Sequence, residues 1–139
     1  MLLIVLIAAC KMDDTGPTTG DLSDKSLPVI KASIEGTWKL IYGKGGFASN
    51  SINYYDSAYW EFHFQDGDRI IQNLEGDIWT DTTISWHKGA KYYPNDTYIM
   101  SFFDKINEPY SYYVKGIFDD TLVIQDAHPD AVSYHMTRR

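Results

Sequence analysis

Ala58-Tyr59-Trp60-Glu61-Phe62-His63-Phe64-Gln65-Asp66-Gly67 is the stretch that decides the fold. Ala58, Trp60, Phe62 and Phe64 alternate with Tyr59, Glu61, His63 and Gln65. A period of two places the first set on one face of an extended strand and the second on the other. Asp66-Gly67 is a turn dipeptide that tolerates positive φ, and Arg69 to Glu75 resumes the extended pattern. The segment predicts a β-hairpin with one apolar face.

The same alternation extends in both directions. Strands are predicted over Gly36 to Tyr42, Ile78 to His87, Thr97 to Phe103, Tyr110 to Phe118, Thr121 to Gln125 and Val132 to Thr137. Turn residues separate them, among them Glu75-Gly76-Asp77, Asn107-Glu108-Pro109 and Asp119-Asp120. No stretch carries a helical stripe of useful length; Lys31 to Glu35 is expected to make a short turn. The chain therefore reads as all-β, a small antiparallel up-and-down barrel of about eight strands. Closure into a barrel removes exposed edges, and a sandwich is the alternative way to close. Gly43 to Ser57 is long for a barrel connection and is placed to lid the mouth.

At 139 residues the chain fits one domain. Its formal net charge of -7 argues against phosphate backbones, so nucleic acid is not an expected partner. Cys10 is the only cysteine, which rules out an intrachain disulfide and any metal site needing two thiolates. His63, His87, His128 and His135 show no metal-ligand spacing, so no metal and no cofactor are expected. Asp66, Asp68, Asp119 and Asp120 fall in turns, and no serine sits in a nucleophile elbow, so no catalytic set is expected.

Leu2 to Ala9 is an unbroken apolar run, too short to span a bilayer but the size of a signal-peptide core. It ends in Ile7-Ala8-Ala9-Cys10, which resembles the lipobox of bacterial lipoproteins. That resemblance makes 1–9 a signal peptide and Cys10 the lipidated residue. No charged segment precedes the apolar run, so the start is expected to lie upstream of Met1. Lys11-Met12-Asp13-Asp14 resembles the surface-export signals that follow the cysteine in Bacteroidetes-type lipoproteins, with Lys11, Asp13 and Asp14 as the signal. Thr15 to Leu27 is rich in Gly, Thr, Ser and Asp and has no apolar periodicity, so 10–29 is expected to be a lipidated cysteine on a flexible linker. The domain is then 30–139.

Ile34-Glu35-Gly36-Thr37-Trp38-Lys39-Leu40 resembles the opening Gly-x-Trp strand of lipocalin-like proteins. Asp119 to Ile124 and Tyr134 to Arg139 resemble the last hairpin of lipocalin-like lipoproteins of the Bacteroidetes type. The resemblance implies an outer-membrane lipoprotein, tethered by its lipid and displayed at the cell surface, with Gly36 and Trp38 plugging the barrel. The pair also reads as ordinary core chemistry.

Two functions remain open. The inward faces offer Trp60, Phe62, Phe64, Trp86, Tyr98, Phe102 and Tyr112 as lining for a small apolar or aromatic ligand. The same residues can fill the barrel, leaving a monomeric interaction protein that meets a surface protein or glycan through exposed aromatics.

Overall fold

A computed structural model describes residues 16–46, 51–90, 93–128 and 130–139. In chain order the elements are β1 (Gly20–Asp21), α1 (Leu27–Ile34), β2 (Gly36–Gly45), β3 (Ile52–Tyr54), β4 (Ala58–His63), β5 (Arg69–Leu74), β6 (Asp77–Thr83), β7 (Ser85–Ala90), β8 (Tyr93–Phe103), β9 (Pro109–Phe118), β10 (Thr121–Asp126) and β11 (Val132–Arg138). No helix among the described residues is long and apolar enough to cross a membrane.

The strands make one antiparallel sheet in the order β6-β5-β4-β2-β11-β10-β9-β8-β7. Its two edge strands, β6 and β7, are consecutive in the chain and separated only by Ile84. One run of chain thus pairs with β5 along its first half and with β8 along its second. The sheet curls into a nearly closed barrel, as the alternation predicts. Where β6 passes the end of β8, a backbone bond joins it to the turn after β8, Lys105 N–H donating to Trp79 O at 3.2 Å. The strand expected over Ile78 to His87 is therefore two strands, because its halves must serve opposite edges.

Register follows from the turns. Leu74 pairs with Asp77 and Phe118 with Thr121, leaving two-residue loops. Glu75-Gly76 and Asp119-Asp120 occupy them, all four at positive φ. That is the geometry that matches the right-handed twist of a hairpin, and Asp tolerates it better than most side chains.

One end of the barrel is closed. α1 starts after Ser26 with Pro28 in its first turn, a position where the missing N–H costs nothing. Its Val29, Ile30 and Ile34 are buried against the barrel floor. Trp38, 1% exposed, donates its Nε1–H to Ile34 O at 2.8 Å. The Arg138 guanidinium lies 4.1 Å from the centre of the Trp38 ring, and its Nη2 reaches Ser33 O at 2.9 Å. Gly36, at φ 114°, turns the chain from the helix into β2. A side chain there would strike the Arg138 guanidinium.

The expected linker, 10–29, is packed from Thr18 onward, and this corrects the boundary at 30. Thr18 N–H donates to Ser33 Oγ at 3.0 Å. Gly20 and Asp21 pair with Ile117 and Gly116 of β9, and Leu22 is fully buried. The cause is backbone pairing with an edge of β9 that β8 leaves open. Gly116 is needed for it: a Cβ there would collide with Gly20 O and the Phe118 ring. The expected turn at Lys31 to Glu35 is in fact the second half of α1. Residues 1–15, with Cys10 and the expected export signal Lys11, Asp13 and Asp14, lie outside the described residues.

A candidate ligand cavity at the open end

The floor of the barrel is filled by Phe62, Ile70, Met100, Leu122 and Met136, each buried. The filling stops short of the other end. A cavity of about 230 Å³ opens there. β4 contributes Ala58 and Trp60 to its wall, β5 contributes Gln72, Asn73 and Leu74, and β6 contributes Trp79. Tyr110 and Tyr112 of β9 and Tyr134 of β11 face them, with Leu40 of β2 and Tyr55 completing the lining.

Alternation explains each placement. Tyr110, Tyr112 and Val114 share the inward face of β9, and Tyr134 and Met136 share that of β11. Trp60, Tyr112 and Tyr134 form a triangle of rings, with centroids 5.5, 5.3 and 5.7 Å apart. Tyr110 stacks on Tyr112 at 6.0 Å. These are favourable offset and edge contacts.

The polar groups sit among those rings. Gln72 is buried and lines the cavity, and its cross-strand neighbour Thr80 holds a buried Oγ1 with no hydrogen-bond partner. Asp126 is the cross-strand neighbour of Tyr112 and accepts from Val132 N–H at 3.2 Å. Burial pushes its carboxyl above the usual range, against the opposing pull of the Val132 bond and His128. Burial likewise pushes the Tyr112 and Tyr134 phenols well up, and the Asp126 charge adds to both. They stay protonated at any physiological pH. Burial also raises Tyr110, to which the Asp104 charge contributes. Asp104 is itself buried, its Oδ1 accepting from Ile106 and Glu108 N–H at 3.0 and 2.9 Å. Its Oδ2 makes no hydrogen bond of ordinary geometry, though the carboxylate is near enough to act on Tyr110.

Of the seven residues expected to line a ligand site, Trp60 and Tyr112 line this cavity. Phe62 and Phe102 are buried in the packed interior. Phe64 and Trp86 pack on each other at 6.4 Å beside α1, where Lys31 lies over Phe64. Tyr98 packs under the Lys88 ammonium. For Phe62, Phe64, Trp86, Tyr98 and Phe102 the ligand-lining expectation is corrected: they do not line the cavity. Tyr55, Trp79, Tyr110 and Tyr134 were not among the expected residues and do line it. Gly43 to Ser57 was expected to lid the mouth, and 47–50 lie outside the described residues. β3 folds back on β2, Tyr54 opposite Tyr42, and Tyr55 is its contribution to the wall.

His63, His87 and His128 are exposed, and His135 stacks on Tyr42 at 4.3 Å. Among the described residues no group of three His, Cys, Asp or Glu is placed to hold a metal ion.

Comparison with protein-family models, curated proteins and solved structures finds no match.

Proposed function

We propose that the chain is a lipid-anchored envelope lipoprotein whose barrel binds a small ligand with an apolar or aromatic face. The observation that carries the binding half is the open cavity of about 230 Å³, walled by aromatic rings with a few convergent polar groups. Ligand sites typically combine these features, at volumes of about 300–1,000 Å³ for drug-sized molecules. This cavity is smaller, so it suits a small molecule or one end of a larger one. The anchoring half is supported by Leu2 to Ala9 and the Ile7-Ala8-Ala9-Cys10 sequence.

Trp60 and Trp79 are in the wall, so binding should change tryptophan emission. Titrating the full chain with a panel of small aromatic and aliphatic compounds tests the proposal. At least one class should quench or shift emission saturably and raise the melting temperature. A panel without any saturable binder would defeat it.

A second reading has its own support. Leu74, Ile78, Phe103 and Ile106 are exposed apolar side chains on strands and loops near the mouth. Such a patch suits contact with a surface protein or glycan. A retained partner in cross-linking on intact cells, lost when Ile78 and Ile106 become Ser, would favour it over the ligand.

A further inference from the structure

We propose that the mouth cavity selects a cation, an alkylated ammonium group held against the rings of Trp60, Tyr112 and Tyr134, with Asp126 as the cross-strand neighbour of Tyr112. The proposal rests on the ligand-binding reading above and names the class of ligand.

Sign of charge decides first. Among the described residues that line the cavity, none is basic. Asp126 is outside the lining but is the cross-strand neighbour of Tyr112, and its charge acts on the Tyr112 and Tyr134 phenols. The Asp104 charge acts likewise on Tyr110. An anion would find one ammonium, Lys105, on the outer Trp79 ring at the rim, and two carboxylates nearer the Tyr rings to oppose it. The phenols stay neutral, so each ring presents its negative face rather than a full charge.

The rings decide next. The Trp60, Tyr112 and Tyr134 rings pack on one another at 5.3 to 5.7 Å as one part of the cavity wall, and Tyr55, Trp79 and Tyr110 extend it. Aromatic faces attract a cation within about 6 Å of the centroid, and more strongly when water is excluded. The molecule already makes such a contact at the rim: Lys105 Nζ lies 4.7 Å from the centre of the Trp79 ring.

Hydration decides the kind of cation. A bare ammonium surrenders strong hydrogen bonds to water on entering an apolar site, and of the two amides here only Gln72 is open to replace them, since Asn73 Oδ1 already accepts from Gly76 N–H at 3.1 Å. Alkylation removes those donors and spreads the charge over groups that pack against rings. A volume of about 230 Å³ has room for such a group. The group can arrive on a free solute or on a lipid headgroup; the chemistry recognised is the same.

The test uses the full chain, with choline and its neutral isostere 3,3-dimethylbutan-1-ol as probes. Choline should bind at least about tenfold more tightly than the alcohol. In Asp126→Asn, which keeps an acceptor for Val132 N–H, that preference should shrink to about twofold or less, while the alcohol's affinity stays put. Equal binding of the two probes to the wild-type chain would overturn the cation inference and leave the ligand cavity standing. Binding of neither probe, with every other compound of the panel also inert, would overturn both. Phosphatidylcholine vesicles separate the sources. Capture that free choline competes away assigns the headgroup; choline binding without such capture assigns a free solute. Both of these outcomes support the cation.

Discussion

Trp38→Ala should remove most of what closes the barrel floor. The indole is 1% exposed, donates to the last carbonyl of α1 at 2.8 Å and carries the Arg138 guanidinium on its face at 4.1 Å. Truncating a buried Trp to Ala costs about 3–5 kcal/mol, from lost transfer energy and the cavity left behind. The freed Ile34 carbonyl and the unstacked Arg138 place the expectation in the upper half of that range, about 4 kcal/mol, rather than above it. A domain of this size has about 5–15 kcal/mol in total, so the variant folds marginally. Urea unfolding of the full chain, followed by circular dichroism, gives the answer. With a slope of about 2 kcal/mol/M, the midpoint should fall by about 2 M with the slope unchanged. Trp38→Phe, which keeps a ring but not the donor, should lose about half as much. A loss below about 1 kcal/mol for Trp38→Ala would refute the floor-plug argument outright.

Leu22→Ala should cost about 2–5 kcal/mol, because Leu22 is fully buried where a free leash would cost nothing; urea midpoints decide it. Asp126→Asn should stabilise the ligand-free chain at pH 7. The folded carboxyl titrates above its unfolded value, so its ionised form opposes folding at neutral pH, and that penalty disappears as pH falls through the raised pKa. Its surroundings are Tyr112, Tyr134, His128 and the Val132 N–H. Melting temperatures of the two chains should differ at pH 7 and converge below about pH 4; a wild type that is the more stable at pH 7 would contradict the sign. The mature N-terminal peptide should carry acyl mass on Cys10, and an unmodified thiol in membrane-derived protein would remove the anchor.

The sequence made faces legible and left heights hidden. Alternation places Phe62 and Trp60 on one face of β4, and both do point inward. It says nothing about distance along the barrel axis, which register sets. Phe62 falls at the level of Gly36, beside the helix, while Trp60 falls at the level of Trp38 and reaches the cavity. Tyr110 was within reach of the same logic, being two residues from Tyr112 on β9. Trp79 was not, because its role depends on where β6 passes the end of β8. α1 did leave a signal in Ser26 and Pro28, a helix-start pattern, but eight residues are too few for a persuasive apolar stripe. Leu22 left none: one Leu in a polar run becomes core only through backbone pairing with β9.

The most direct test of the cavity is the indole N–H region of a two-dimensional nitrogen–proton spectrum during titration with choline. The chain has four Trp, and the structure sorts them: Trp60 and Trp79 line the cavity, while Trp38 and Trp86 lie elsewhere. Ligand in the mouth should move the Trp60 and Trp79 signals saturably and leave Trp38 and Trp86 in place. Movement of Trp86 with Trp60 unmoved would contradict the site, and no movement of any indole, with choline and with every other compound of the panel, would contradict it equally.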